Sequence, residues 1–274
     1  MKARLLAAGF VLGIAALLAW NLAPYLWQIL TSLKPRGEVG AVPPLLPSRL
    51  FLGNYAAVFT DQPFARILFN SFVVAGASTA LSLGLGAPAA FAIARLPLRG
   101  TRWILGLFLA VSMFPAISAV SPIYLALERL GLWDTHAALV FPYVAFTLPL
   151  AVWILTSFFR EIPDDLYRAA RVDGCRPFGA FARIFLPLAA PGLFTTAILV
   201  FIFAWNEFLF ALTLTGTERS RTVPVAIALF PGLHEIPWGE IAAASVVVTA
   251  PLVALVLAFQ RRILSGLLSG AVRG

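Results

Sequence analysis

Six stretches of this chain are each long and apolar enough to cross a hydrocarbon layer: roughly residues 5 to 30, 67 to 94, 103 to 127, 137 to 159, 186 to 214 and 241 to 260. One helical crossing needs about 20 such residues. Hydrophobic residues make up 61% of the sequence and charged ones 12%, against about 45–50% and about 25% in soluble domains. The pattern predicts an all-α integral membrane protein, one transmembrane domain over 1–274 with six transmembrane helices.

The first run follows Lys2 and Arg4, as the core of a signal peptide would. Its apolar character continues through Trp20, Pro24 and Trp27 to Leu33, about twice the length of such a core, which favours a retained anchor. Cys175 is the only cysteine, and the two histidines, His136 and His234, are widely separated, so neither a disulfide framework nor a metal site is expected.

Orientation follows from the basic residues. With the N-terminus in the cytoplasm, the inner segments carry thirteen of the 20 Lys and Arg: Lys2, Arg4, Arg95, Arg99, Arg102, Arg160, Arg168, Arg171, Arg176, Arg183, Arg261, Arg262 and Arg273. Basic residues are retained on the cytoplasmic side during insertion, so both termini are expected inside. The formal charge of +8 is thereby a topology signal rather than a sign of nucleic-acid binding. Trp27, Trp103 and Trp238 fall near the expected membrane edges, where indole rings anchor spans in the membrane lipid.

The inner segment from 160 to 185 is far longer than the 2–8 residues a helical hairpin needs, and it is heavily punctuated. Pro163 suits a first helical position, with Asp164 and Asp165 opposing the positive end of the helix dipole. Leu166, Ala169, Ala170 and Asp173 recur at three- and four-residue spacing, a small and mostly apolar face that leaves room for another protein. Gly174 can supply the left-handed residue that ends a helix. A second piece opens at Pro177 and places Phe178, Phe181, Ala182 and Phe185 on one side before Pro187. Physics alone leaves two readings, a protein-docking lever or an amphipathic hairpin whose arginines meet lipid phosphates.

The segment resembles the EAA loop of the permease subunits of binding-protein-dependent ABC importers. Arg168, Ala169 and Ala170 are followed after three residues by Gly174, and after nine more by Ile184, Phe185, Leu186 and Pro187, at the spacing of that motif. Arg168 stands where the family has glutamate. SLK after the first span, MFPAISAVSPIYLAL, LGLWDTHAAL, IPDDLYRAARVDGC, AWNEFLFAL and the terminal SGAVRG resemble the carbohydrate branch, similar to the maltose-type second permease. The resemblance implies a multi-pass permease of a bacterial or archaeal cytoplasmic membrane, importing a sugar or oligosaccharide; glycerol phosphate esters and polyols are the alternative cargo. It also implies a second homologous permease subunit, two ABC ATPase subunits that hold ATP and Mg, an extracytoplasmic solute-binding protein, and no cofactor in this chain. Leu166, Arg168, Ala169, Ala170, Asp173 and Gly174 would form the coupling helix and its turn.

GLGAPA at 84 to 89 lacks the strand and acidic partner of a dinucleotide site; small residues at Gly76, Ala80, Gly86, Ala90 and Ala94 are expected to serve helix packing instead. There is no phosphate-loop motif and no catalytic set. Glu207, beside Asn206, is the only acid inside an expected span. Such a carboxylate faces a translocation path or subunit interface, or else lies near the outer edge and is paired locally. A secondary transporter would need more intramembrane ionisable groups or matching broken helices.

Overall fold

The computed structural model describes residues 2–39, 44–230 and 236–271; His234 lies outside them. Helices carry the chain: α1 (Lys2–Ser32), α2 (Gly53–Thr60), α3 (Phe64–Arg95), α4 (Thr101–Ser112), α5 (Ala116–Arg129), α6 (His136–Glu161), α7 (Asp164–Val172), α8 (Pro177–Ala180), α9 (Leu186–Leu188), α10 (Ala190–Asn206), α11 (Leu209–Leu214), α12 (Val223–Ala228) and α13 (Trp238–Ala271). A 3-10 turn covers Arg36–Glu38 and a π turn Phe181–Phe185. There is no strand among the described residues.

Among the described residues, four continuous helical segments are long and apolar enough to cross a membrane: Gly9–Ser32, Phe64–Arg95, His136–Glu161 and Trp238–Gln260. The third and fifth expected spans are broken. Between α4 and α5 the axis turns by 85°, because Pro115, extended at φ −62° and ψ 115°, lacks an amide hydrogen and pushes its predecessor out of the helical region. The fifth run bends by 79° between Leu188 and Ala190 and its helix stops at Asn206 rather than continuing to 214.

Two compact units partition the chain, one formed by 1–65 and 227–251, the other by 66–226 and 252–274. In the first, the SLK turn after α1 is held by α2. Asn54, fully buried, donates its amide to the carbonyls of Ser32 and Lys34, both at 2.9 Å, and Ser32 Oγ meets the Tyr55 hydroxyl at 2.7 Å. Lys34 is also buried, its ammonium 4.2 Å from the centroid of the Trp27 ring, a cation–π contact that offsets part of the charge's desolvation. From Phe10 to Trp20, α1 buries no side chain within its own chain, so the environment of this apolar surface must be lipid or another protein.

In the second unit α6 is the axle, packed on α4 and α10 and touched by α11. α3 approaches it closely at Gly86, where a Cβ would come to 3.3 Å from that of Ala151, and Ala90 beside it is buried. The packing role expected of the small residues holds there and at Ala94, which packs against the same core, but not at Gly76, which meets open space, or at Ala80, which is exposed.

The connection before α6 is tied to the one after α11 through Asp134, a non-glycine residue at φ 57°. Its carboxylate accepts from the Gly216 and Thr217 amides at 2.9 and 3.1 Å and from the hydroxyls of Thr217 and Ser220. Burial alone would raise its pKa, but these donors, Ser220 first, hold it down at about 2. The lowered value stabilises the fold above the ordinary carboxylate range, and that contribution is lost as pH falls through about 2. Asp134→Ala is therefore expected to cost roughly 1–3 kcal/mol at neutral pH. Thermal unfolding in detergent should show the gap between wild type and variant narrowing as pH falls from 4 toward 2; a gap independent of pH would show that the carboxylate's charge is not what ties the loops.

Candidate functional site

The helix α7 begins behind Pro163, which sits at the N-cap with extended backbone rather than at the first helical position, and Asp164 and Asp165 occupy its first turn. Its C-terminus closes as a Schellman turn: the Cys175 amide donates to the Ala170 carbonyl at 2.9 Å and the Gly174 amide to that of Arg171 at 3.2 Å. Gly174 takes φ 80°, and Arg171 reaches over the turn to the Cys175 carbonyl at 2.7 Å.

The mount beneath α7 is aromatic. Phe91 of α3 packs edge-on against Phe159 of α6, Tyr167 of α7 and Phe185 of the π turn, with ring centroids 5.9, 6.1 and 5.1 Å away. Ala87, Ala90, Leu155, Phe181 and Ala189 complete this buried core. Edge-on rings are favoured by the quadrupole of each and fix their mutual orientation.

Arg95 closes the mount. Its side chain, 5% exposed, pairs with Asp164 and donates to the carbonyls of Phe159 and Ile162, while its guanidinium lies 5.2 Å from the Phe185 ring centroid. A helix end leaves carbonyls without intrahelical donors. A planar guanidinium can satisfy several at once and still reach an acid. One side chain thus fixes the end of α6 to the start of α7.

Of the expected coupling residues, only Ala170 is buried; Leu166, Arg168, Ala169 and Asp173 remain exposed. Arg168 is a surface cation, its side chain 76% exposed and 3.9 Å from Asp165. Val172, 87% exposed, enlarges the apolar surface that the spacing had put on Leu166 and Ala169. The second piece also differs from expectation. Phe181 and Phe185 are buried, but Phe178 and Ala182 are exposed, because the π turn, with its Leu186 amide bonded to the Phe181 carbonyl, shifts the side-chain register.

Asn206 and Glu207 lie at the far end of α10 from this assembly, with Asn206 exposed. Glu207 stands in the break after α10 with ψ 127°, and its carboxylate accepts the amides of Phe210 at 2.9 Å and Ala211 at 3.1 Å, capping α11. Arg95 and Tyr167 were missed by sequence reasoning. In the sequence Arg95 reads only as one of the inner basic residues, and its one legible signal is its position at the end of an apolar run.

Apolar helices of membrane-crossing length and a short helix mounted in a charged loop are the features that comparison with known proteins must account for. The sequence matches the binding-protein-dependent transport system inner membrane components over residues 82–268, and the chain belongs to that family. It is 48% identical over 257 residues to a trehalose transport system permease protein of Mycobacterium tuberculosis, covering 93% of each chain. It is 46% identical over 257 residues to a trehalose/maltose transport system permease protein of Thermococcus litoralis, covering 92% of each. A bacterial ABC transporter involved in import of the acidic polysaccharide alginate contains a chain of the same fold, with a TM-score of 0.82 at 20% identity, over 95% of this chain and 97% of that one.

Two substitutions probe the mount. A Cβ at Gly174 would meet nothing within 4 Å, so Gly174→Val acts through backbone strain alone, at roughly 1–3 kcal/mol, whereas Gly174→Asn should be tolerated because asparagine enters the left-handed region readily. Equal loss of thermal stability in both would show that the left-handed conformation is not what selects glycine. Arg95→Gln removes charge-assisted bonds on the order of 2–3 kcal/mol and should speed hydrogen exchange at the α7 amides more than at those of α10. Unchanged exchange in α7 would mean the aromatic core suffices.

Proposed function

We propose that the chain is one of two permease halves of an ATP-driven importer that moves a sugar or oligosaccharide into the cytoplasm. The observation that carries this reading is identity of 46–48% over more than nine tenths of the chain to permeases for trehalose and maltose. The whole chain acts as one permease domain with six spans, the two bent runs each counting as one, and both termini lie in the cytoplasm, as the basic bias requires. Its partners are a second permease, two ATPases that hold ATP and Mg, and an external solute-binding protein.

α7 is the coupling helix of this reading. It sits stiffly on Phe91 and Arg95, so displacement of its exposed face by a closing ATPase moves α3 and α6 with it. Leu166, Ala169 and Val172 are the surface that enters the ATPase. Arg168, already extended into water, contributes little of the contact, and the matching glutamate of the other half carries the larger share.

Reconstituted with its partners, the complex should import labelled trehalose or maltose only with ATP inside. Leu166→Asp should abolish most ATPase co-purification and lower solute-stimulated ATP hydrolysis by about 10-fold or more, since it buries an unpaired charge. Arg168→Glu should change hydrolysis by less than about 3-fold, a surface-charge effect. Uptake that persists after ATP depletion and follows a proton gradient would instead identify a secondary transporter.

A further inference from the structure

Away from the coupling loop, a cleft of about 380 Å³ opens among Arg66, Phe69, Asn70, Thr135, His136 and Arg219. Its floor is preformed. Asn70, 2% exposed, donates its amide to the carbonyls of Glu218 and Arg221, both at 3.0 Å, which leaves its Oδ1 to accept from His136 Nε2 at 2.9 Å. His136 therefore carries its proton on Nε2. The loop bearing Arg219 is held in place by the Asp134 carboxylate through Gly216, Thr217 and Ser220.

The walls are cationic. Arg66 and Arg219 are exposed, neither guanidinium has an ion pair among the described residues, and no lining residue is acidic. α6 begins here, with the Thr135 hydroxyl accepting the Ala138 amide, so its dipole adds positive potential to the cleft. Phe69 leaves an apolar ring at the rim. Under the proposed orientation Arg66, Thr135 and Arg219 all lie on the outer face, which ATP and the ATPases do not reach.

We propose that this cleft receives an aspartate or glutamate side chain of the external solute-binding protein, an inference that rests on the importer reading and adds the contact through which the loaded partner docks. Guanidinium forks match a carboxylate's two oxygens in plane, and a rigid floor lets them bind without first ordering the loop. Charges at a docking rim act mainly on association rate and its salt dependence. The phosphate of an outer-leaflet lipid is the competing occupant, but Arg219 lies in a loop beyond the helix ends.

The test is binding of the solute-loaded partner to the complete complex in nanodiscs of zwitterionic lipid. Arg66→Glu with Arg219→Glu is expected to weaken binding about 10-fold or more, chiefly through slower association, and to flatten its salt dependence. Arg66→Lys with Arg219→Lys keeps the charge without the forks and should fall between, about 2–5-fold weaker. Reversing one carboxylate of the binding protein to lysine should restore affinity to the double-glutamate complex. Association unchanged in the double-glutamate variant would overturn the inference, as would a defect that appears only when anionic lipid is present. If the wild-type complex itself fails to bind any loaded partner, the importer reading fails first. Retention of the ATPases on purification shows that each variant is assembled.

Discussion

A single guanidinium sets the geometry where α3, α6 and α7 meet. Arg95 stands at the end of α3, yet its bonds go to Phe159 and Ile162 at the end of α6 and to Asp164 at the start of α7. The end of α3 thus shares its cation with the α6–α7 junction, 64 to 69 residues further along the chain. The arrangement works because each partner lacks something that arginine supplies. The terminal carbonyls of α6 have no donors of their own, Asp164, though its side chain is largely exposed, gains a countercharge, and the buried side of the guanidinium strengthens its bonds to the carbonyls. The aromatic cluster around Phe91 then has fixed walls to fill. Without the guanidinium, that packing would rest on two helix ends free to separate.

At the opposite ends of the helices the same logic runs with the sign reversed. Asp134 is an acid collecting donors from a loop, where Arg95 is a base collecting acceptors. Both join connections distant in sequence, and both use a charged fork for several partners. Glu207 does this on a smaller scale, holding the start of α11 after the break that ends α10. Each of these three charged residues stands where backbone groups would otherwise go unpaired.

Much of this was legible in the sequence. The apolar runs located the long helices, and the spacing from Arg168 to Pro187 brought out the loop and its family. Gly174 was readable because few residues other than glycine end a helix with a left-handed turn. What escaped had a common cause. The break at Pro115, the bend near Ala189 and the π turn at Phe181–Phe185 all lie inside apolar runs, where hydropathy stays high whether or not the axis continues. Pro115 carried a signal, but Pro88, Pro142 and Pro149 sit within unbroken helices, so proline alone did not decide. Arg95 was invisible for a different reason: a basic residue at the end of a span satisfies the topology rule equally well whether its side chain points to water or back into the bundle.

The π turn has a consequence of its own. By closing its ring between Phe181 and Leu186, it accommodates one residue more than a regular turn would, and each residue of an α-helix advances the azimuth by about 100°. The direction in which the loop faces is therefore written partly as a residue count. Sequences that keep every side chain of the loop but differ by one position between Ala180 and Leu186 would aim it at a different quadrant, which makes chain length across these few residues as strongly constrained as any identity within them.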